Sequence, residues 1–166
     1  MLLLAVLLTA CLEKSPFVPR IEDVTFAPEL GVNLAASTKT PSGLYYRDIT
    51  VGTGTLVPTT NGDTAFVRYQ GWLRNNVSFD NNLSAPQPFS FVTGSGGVIA
   101  GFDEGVRGMR VNGVRQLIIP PALGYGASGS GSIPGNSILV FTITLTRVGL
   151  KPGDTKLIIS DSEATQ

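Results

Sequence analysis

The groups able to do chemistry in this 166-residue chain are carboxylates, hydroxyls and backbone amides: there is no His, and Cys11 is the single Cys. The lack of His removes Ser–His–Asp relays, imidazole bases and most catalytic zinc sites. One Cys allows neither an intramolecular disulfide nor a thiolate metal cluster. Asp80 follows directly on Phe79, Tyr69 lies within a β-rich run, and Tyr125 precedes a glycine-rich loop. Whatever such groups do must rest on hydrogen bonding and shape, with no cofactor or metal. The 12 basic and 12 acidic residues cancel, so no positive field is offered to nucleic acid.

One stretch is set to organise these groups, Val98-Ile-Ala-Gly-Phe-Asp-Glu-Gly-Val-Arg-Gly-Met109, approached through Gly94, Gly96 and Gly97. Ile99, Phe102, Val106 and Met109 recur at helical spacing, with Asp103, Glu104, Arg107 and Arg110 on the other face. The spacing predicts a short amphipathic helix that presses its apolar stripe onto a sheet. The first-turn N–H groups of such a helix have no partner inside it. If the helix start faces a cavity, the Ile99 N–H is free for a ligand carbonyl and Phe102 floors that cavity. If it does not, the helix only completes a core.

The rest of the central chain reads as strands. Leu44–Thr50 alternates, and Asn61-Gly62 is a turn dipeptide. In Thr64–Leu73, Ala65, Val67, Tyr69 and Gly71 share one face. Arg68 and Gln70 mark the other as wetter, so Tyr69 points inward. Val77–Asp80 and Phe89–Thr93 are short strands separated by a polar, Pro-broken loop. Val114–Ile119 is stopped by Pro120-Pro121, and Ser137–Val148 is the longest strand, with Leu139, Phe141, Ile143 and Leu145 facing the core. Between them Gly126–Asn136 reads as a mobile loop carrying one large apolar residue, Ile133. The sum is an α+β protein with an antiparallel sheet of about five to six strands and one helix.

Four segments are expected. Residues 1–10 are an apolar run too short to span a bilayer, and read as part of a secretory signal peptide. The junction Leu8-Thr9-Ala10-Cys11 resembles the bacterial lipoprotein cleavage motif, which implies lipid attachment at Cys11. Residues 11–40, with scattered Pro and no sustained period, are the lipidated N-terminus and a flexible tether reaching on the order of 30 Å. Residues 41–150 form the domain, and 151–166 a polar C-terminal tail. The location implied is extracytoplasmic, as a membrane-anchored lipoprotein of the bacterial cell envelope.

Six landmarks then fall in one order: Val67-Arg68-Tyr69-Gln70-Gly71, Phe79-Asp80, Pro88-Phe89, the Val98–Gly105 run, Ile119-Pro120-Pro121-Ala122-Leu123-Gly124-Tyr125-Gly126 and Leu139-Val140-Phe141. Together they resemble the FKBP-type peptidyl-prolyl cis-trans isomerases. The resemblance implies a twisted antiparallel sheet wrapped around one short amphipathic helix. It also implies a proline pocket walled by Tyr69, Phe79, Phe89, Val98, Ile99, Tyr125 and Phe141, floored by Phe102 and closed by Ile133. Asp80 stands at the rim, and Asp80, Tyr125, Phe102 and Tyr69 carry the catalytic roles. Proline-containing polypeptide segments and macrolide inhibitors are the implied partners, with a monomer expected. The chain departs from the family where many members have Trp at the Phe102 position, Pro at the Gly135 position, and a basic residue within 81–87. Two other readings use the same residues: a non-catalytic binder or chaperone for proline segments, and a structural envelope lipoprotein.

Overall fold

The computed structural model describes residues 18–57 and 60–149. Seven strands form one antiparallel sheet: β1 (Thr38–Lys39), β2 (Tyr45–Thr50), β3 (Thr64–Leu73), β4 (Ser78–Asn81), β5 (Phe89–Val92), β6 (Val114–Ile119) and β7 (Leu139–Gly149). Helix α1 (Ala100–Val106) lies between β5 and β6 in the chain. The spatial order is β1-β2-β6-β7-β3-β4, with β5 also on β3. The α+β architecture is the one expected, and the strand beyond the expected number is the two-residue β1.

The alternation along β3, β6 and β7 sends Ala65, Val67, Leu117, Ile119, Leu139, Phe141, Ile143 and Leu145 to the inner face, where they bury Phe102, Val106 and Met109. Seven residues are too few for a helix to persist alone, so packing holds α1. Gly101 and Gly105, one turn apart, bring it close: a Cβ at either position would run into Ile119 or Leu117 on β6. Arg115, 6% exposed, donates to the carbonyls of Gly105 and Arg107 at 3.0 Å each and pairs with Asp48. A cation at the helix C-terminal carbonyls is favourable.

β4 and β5 share one edge of β3, pairing Gln70–Trp72 and Thr64–Val67 respectively. The intervening loop is fixed from β3. Asn82 accepts the Tyr69 N–H (2.8 Å) and donates to the Val67 carbonyl (3.1 Å) through its side chain. Arg68, expected merely to mark a wet face, donates to the carbonyls of Asn82, Ala85 and Gln87 at 2.8, 2.6 and 3.3 Å.

The tether expected over 11–40 is not what residues 18–40 form. They lie across the outer face of the sheet as 3₁₀ turns at Ile21–Asp23, Pro28–Leu30 and Leu34–Ala36. Ile21 packs with Tyr45, Ile118 and Ile138, flanked by Val24, Phe26, Val32 and Leu34. The cause lies in β6 and β7, which carry apolar residues on both faces and so need a second cover. Polar contacts fix the segment: Gln116 Nε2 donates to the Leu30 carbonyl (2.7 Å) and the Tyr45 hydroxyl to Glu22 (2.6 Å). A sequence of 3₁₀ turns has no long hydrophobic period, which is why it reads as tether. The segments expected to be a signal peptide and a C-terminal tail, and Cys11, lie outside the described residues. No helix among the described residues is long and apolar enough to cross a membrane.

Candidate active site

A cavity of about 240 Å³ opens between α1 and the edge of the sheet. β3 supplies Tyr69, β4 Asp80, β5 Phe89, β7 Phe141 and α1 Phe102. The loop before α1 supplies Gly97, Val98 and Ile99, and the loop after the Pro121–Leu123 turn supplies Tyr125. Phe102, 4% exposed, is the floor. Its ring meets Tyr69 at 5.5 Å and Phe141 at 5.2 Å, both edge to face. Such arrangements add to the burial of the rings. Phe89 and Tyr125, each 37% exposed, stand at the mouth.

The geometry depends on a residue without a side chain. A Cβ on Gly71 would lie within 2.7–2.9 Å of the Phe141 and Phe79 rings, so the glycine leaves room for both over β3. Phe79 was expected in the wall. It stands behind it instead, edge-on to Phe141 at 5.4 Å.

The Tyr69 hydroxyl donates to Asp80 Oδ2 at 2.7 Å. Burial, reinforced by the Asp80 carboxylate, holds the Tyr69 phenol well above its ordinary range. It is therefore a proton-bearing donor at neutral pH. The other wall is held by Asp103, which the helical pattern placed on a polar face but which is 8% exposed. It accepts the Gly94 N–H at 2.6 Å and binds Arg107 Nε at 2.9 Å. Gly94 has φ +75°, and a Cβ there would overlap the Asn61 amide. The loop carrying Gly97, Val98 and Ile99 is thus gripped on both sides. Ile99 begins α1, its carbonyl accepting the N–H groups of Phe102 (3.0 Å) and Asp103 (3.2 Å).

Ile133 does not close the cavity. It is 8% exposed and packs in the main core. The loop expected to be mobile is tied by reciprocal Ser130–Ile133 backbone bonds of 2.9 and 2.8 Å and by Asn136 N–H to the Gly126 carbonyl at 2.7 Å. Burying the one large apolar side chain of a glycine-rich loop is worth about 1.5–3 kcal/mol, which favours the tucked position. Seven of the expected wall and floor residues and Asp80 therefore meet in the cavity. Gly97 was missed because it has no side chain to signal a role, and Asp103 because a helical wheel does not show a neighbouring loop. A larger groove of about 500 Å³ runs by Pro19, Arg74 and Ile138. Its one ionisable side chain is Arg74, which donates to the Thr25 carbonyl, and it offers no comparable set of groups.

The cavity thus combines an aromatic floor and walls with one carboxylate and two phenols. Residues 57–146 match the family of FKBP-type peptidyl-prolyl cis-trans isomerases, and the chain belongs to that family. It is 41% identical over 107 residues to the FK506-binding protein of Neisseria meningitidis, covering 64% of this chain and 96% of that protein. The crystal structure of FkpA from Escherichia coli matches with a TM-score of 0.62 at 37% identity, over 69% of this chain and 52% of that one. That of AtFKBP13 matches with a TM-score of 0.61 at 34% identity, over 67% and 97%. The chain spans only 6% and 22% of two longer curated relatives to which it is 45% identical.

Proposed function

We propose that this protein accelerates rotation about X-Pro bonds in extracytoplasmic client polypeptides, working from a membrane to which a lipid on Cys11 holds it. The observation that carries the catalytic part is the cavity: a buried aromatic floor at Phe102 with the Tyr69–Asp80 pair at its rim, in a chain of this family. The Leu8-Thr9-Ala10-Cys11 junction supports the anchored part.

Amide resonance sets a barrier of about 18–20 kcal/mol, and uncatalysed X-Pro rotation takes tens to hundreds of seconds. No nucleophile is needed. In the twisted transition state the nitrogen no longer donates into the carbonyl, so the amide is less dipolar and loses less on leaving water. An apolar cavity then favours the twisted form over the planar one, which is differential binding. An acceleration of about 10⁵ needs about 7 kcal/mol, shared among desolvation, shape and one or two hydrogen bonds. Phe102, Phe89 and Phe141 hold the proline ring. The Ile99 N–H and the Tyr125 hydroxyl hold substrate carbonyls, and Asp80 orients Tyr69 beside the rotating amide.

The test is cis-to-trans isomerisation of a short X-Pro peptide by the full chain, with and without a macrolide of the FK506 type. Macrolide-blocked catalysis is the expected result. Macrolide binding without catalysis would move the function to proline-segment binding, and neither would reject the site. Separately, Cys11→Ala is expected to release the protein from membrane fractions; unchanged association would reject the anchor.

A further inference from the structure

Resting on the isomerase reading, we propose that Asn82 and Arg68, neither of which lines the cavity, are positioning residues of the site: Asn82 fills a gap in the sheet edge at Tyr69, and Arg68 holds Asn82 there. The edge of β3 that faces β4 and β5 is interrupted. β4 pairs with β3 from Gln70 to Trp72, and β5 from Thr64 to Val67, so Arg68 and Tyr69 are paired with neither. Tyr69 is also the residue through which β3 contributes to the cavity. A break in a ladder leaves backbone N–H and C=O groups that must find other partners.

Asn82 is the partner of both groups of Tyr69. Its Oδ1 accepts the Tyr69 N–H at 2.8 Å, and its own N–H donates to the Tyr69 carbonyl at 3.1 Å. Its Nδ2 donates to the carbonyl of Val67, the last residue that β5 pairs, at 3.1 Å. Only an amide side chain accepts at one end and donates at the other in this way. The loop that carries Asn82 has few donors of its own, because Pro86 and Pro88 lack an N–H. Arg68 Nη1 gathers it from the β3 side, donating to the carbonyls of Asn82, Ala85 and Gln87 at 2.8, 2.6 and 3.3 Å. Hydrogen bonds from a cation are the stronger kind.

The gathered run from Asn82 to Gln87 has a cavity residue two positions beyond each end, Asp80 and Phe89. Both touch Tyr69: Asp80 accepts its hydroxyl at 2.7 Å, and Phe89 is edge-on to its ring at 5.8 Å. Freeing Asn82 therefore loosens the wall made by Tyr69, Asp80 and Phe89. Phe102, on α1, keeps its place in the core. Arg68 and Asn82 act on the reaction only through this wall.

The experiment uses the full-length protein and three variants. Asn82→Ala removes both side-chain bonds, Asn82→Asp keeps the acceptor for the Tyr69 N–H and loses the donor to Val67, and Arg68→Met keeps the apolar stem without the guanidinium. Isomerisation of a short X-Pro peptide and the ultraviolet titration of Tyr69 are measured where each variant is folded, with Tyr69→Phe in the same background as the titration reference. Burial and the Asp80 bond hold this phenol high, so its titration reads the wall without turnover. Asn82→Ala and Arg68→Met are expected to lower kcat/KM about ten- to a hundredfold, the scale on which a misplacement of about 1 Å acts. Tyr69 should then ionise at lower pH than in the wild type, and Asn82→Asp should recover part of both effects. Variants with a lowered Tm but wild-type kcat/KM and Tyr69 titration would overturn the proposal, because the bonds would then serve stability alone. A fall in kcat/KM with the titration unchanged would overturn it as well, since the wall would not have moved. If Asn82→Ala does not fold, Asn82→Asp and Arg68→Met decide. If the wild type turns over no peptide, the isomerase reading fails, while the Tyr69 titration still decides whether Asn82 and Arg68 hold the wall.

Discussion

Phe102 is the residue on which pocket and core depend together. Its ring touches Tyr69, Phe91 and Phe141 while its edge floors the cavity. Phe102→Ala is expected to abolish measurable isomerase activity and to cost about 3–5 kcal/mol, read by denaturant unfolding. Tyr69→Phe separates the two effects. It keeps the ring contacts to Phe102 and Phe89 and removes only the bond to Asp80. Activity should fall several-fold, with a stability change of about 1 kcal/mol. The raised Tyr69 pKa fixes a sign as well. Above about pH 10 the unfolded chain ionises this phenol and the folded chain does not, so its contribution to stability is present below that pH and lost above it. An ultraviolet titration should show Tyr69 still protonated where ordinary tyrosines have ionised, taking Tyr69→Phe as the reference.

At the scale of elements, the site depends on how closely a short helix, the β3–β4 edge, whose register shifts between Gly71 and Trp72, and one loop are pressed together. Gly71→Ala would force the Phe79 and Phe141 rings apart. It should destabilise by about 1–3 kcal/mol, as overpacking does, and raise KM. Asp103→Ala removes the acceptor of the Gly94 N–H. The expected cost is about 1–3 kcal/mol, with faster hydrogen exchange at the Gly94 amide and a KM that rises more than kcat falls. Unchanged exchange at Gly94 would show that Asp103 does not hold this loop. Strand alternation made β3, β6 and β7 legible to within a residue or two, because each has a dry face and a wetter one. It could not reveal the grip of Arg68 on the loop after β4, since a side chain reaching along an edge leaves no period behind.

At the scale of the molecule, the sheet is covered on both faces, by α1 on one and by residues 18–40 on the other. Removing the chain through Thr40 would uncover Ile118 and Ile138 and lose the burial of Ile21 and Leu30. At about 1.5–3 kcal/mol per large apolar side chain, a fall of several kcal/mol in unfolding free energy is expected. The kcat of the remaining folded fraction should be nearly unchanged, because the cavity opens on the other face. Glu22 supplies a pH test of the same cover. Bonds from Lys39 and the Tyr45 hydroxyl lower its pKa from 4.5 to about 2. Its contribution is therefore complete above about pH 4.5 and disappears as the pH falls to about 2. Glu22→Gln should lower Tm at neutral pH and flatten the acid limb of the Tm-against-pH curve.

What the sequence by itself determined is local: the inward face of β3, the strand–helix alternation, the aromatic positions and the exclusion of His- or thiol-based chemistry. Each of these follows from residue type and a short repeat, and the ordered motifs added which aromatic residues belong to one site. Tertiary structure alone decided that Phe79 stands behind Phe141, that Ile133 is buried in the core, that Asp103 ties a wall in place and that residues 18–40 cover the sheet. Those four outcomes turn on competition among neighbours distant in sequence for the same buried space or hydrogen bond. Such a competition is settled by packing, and no period of 2 or 3.6 residues records its result.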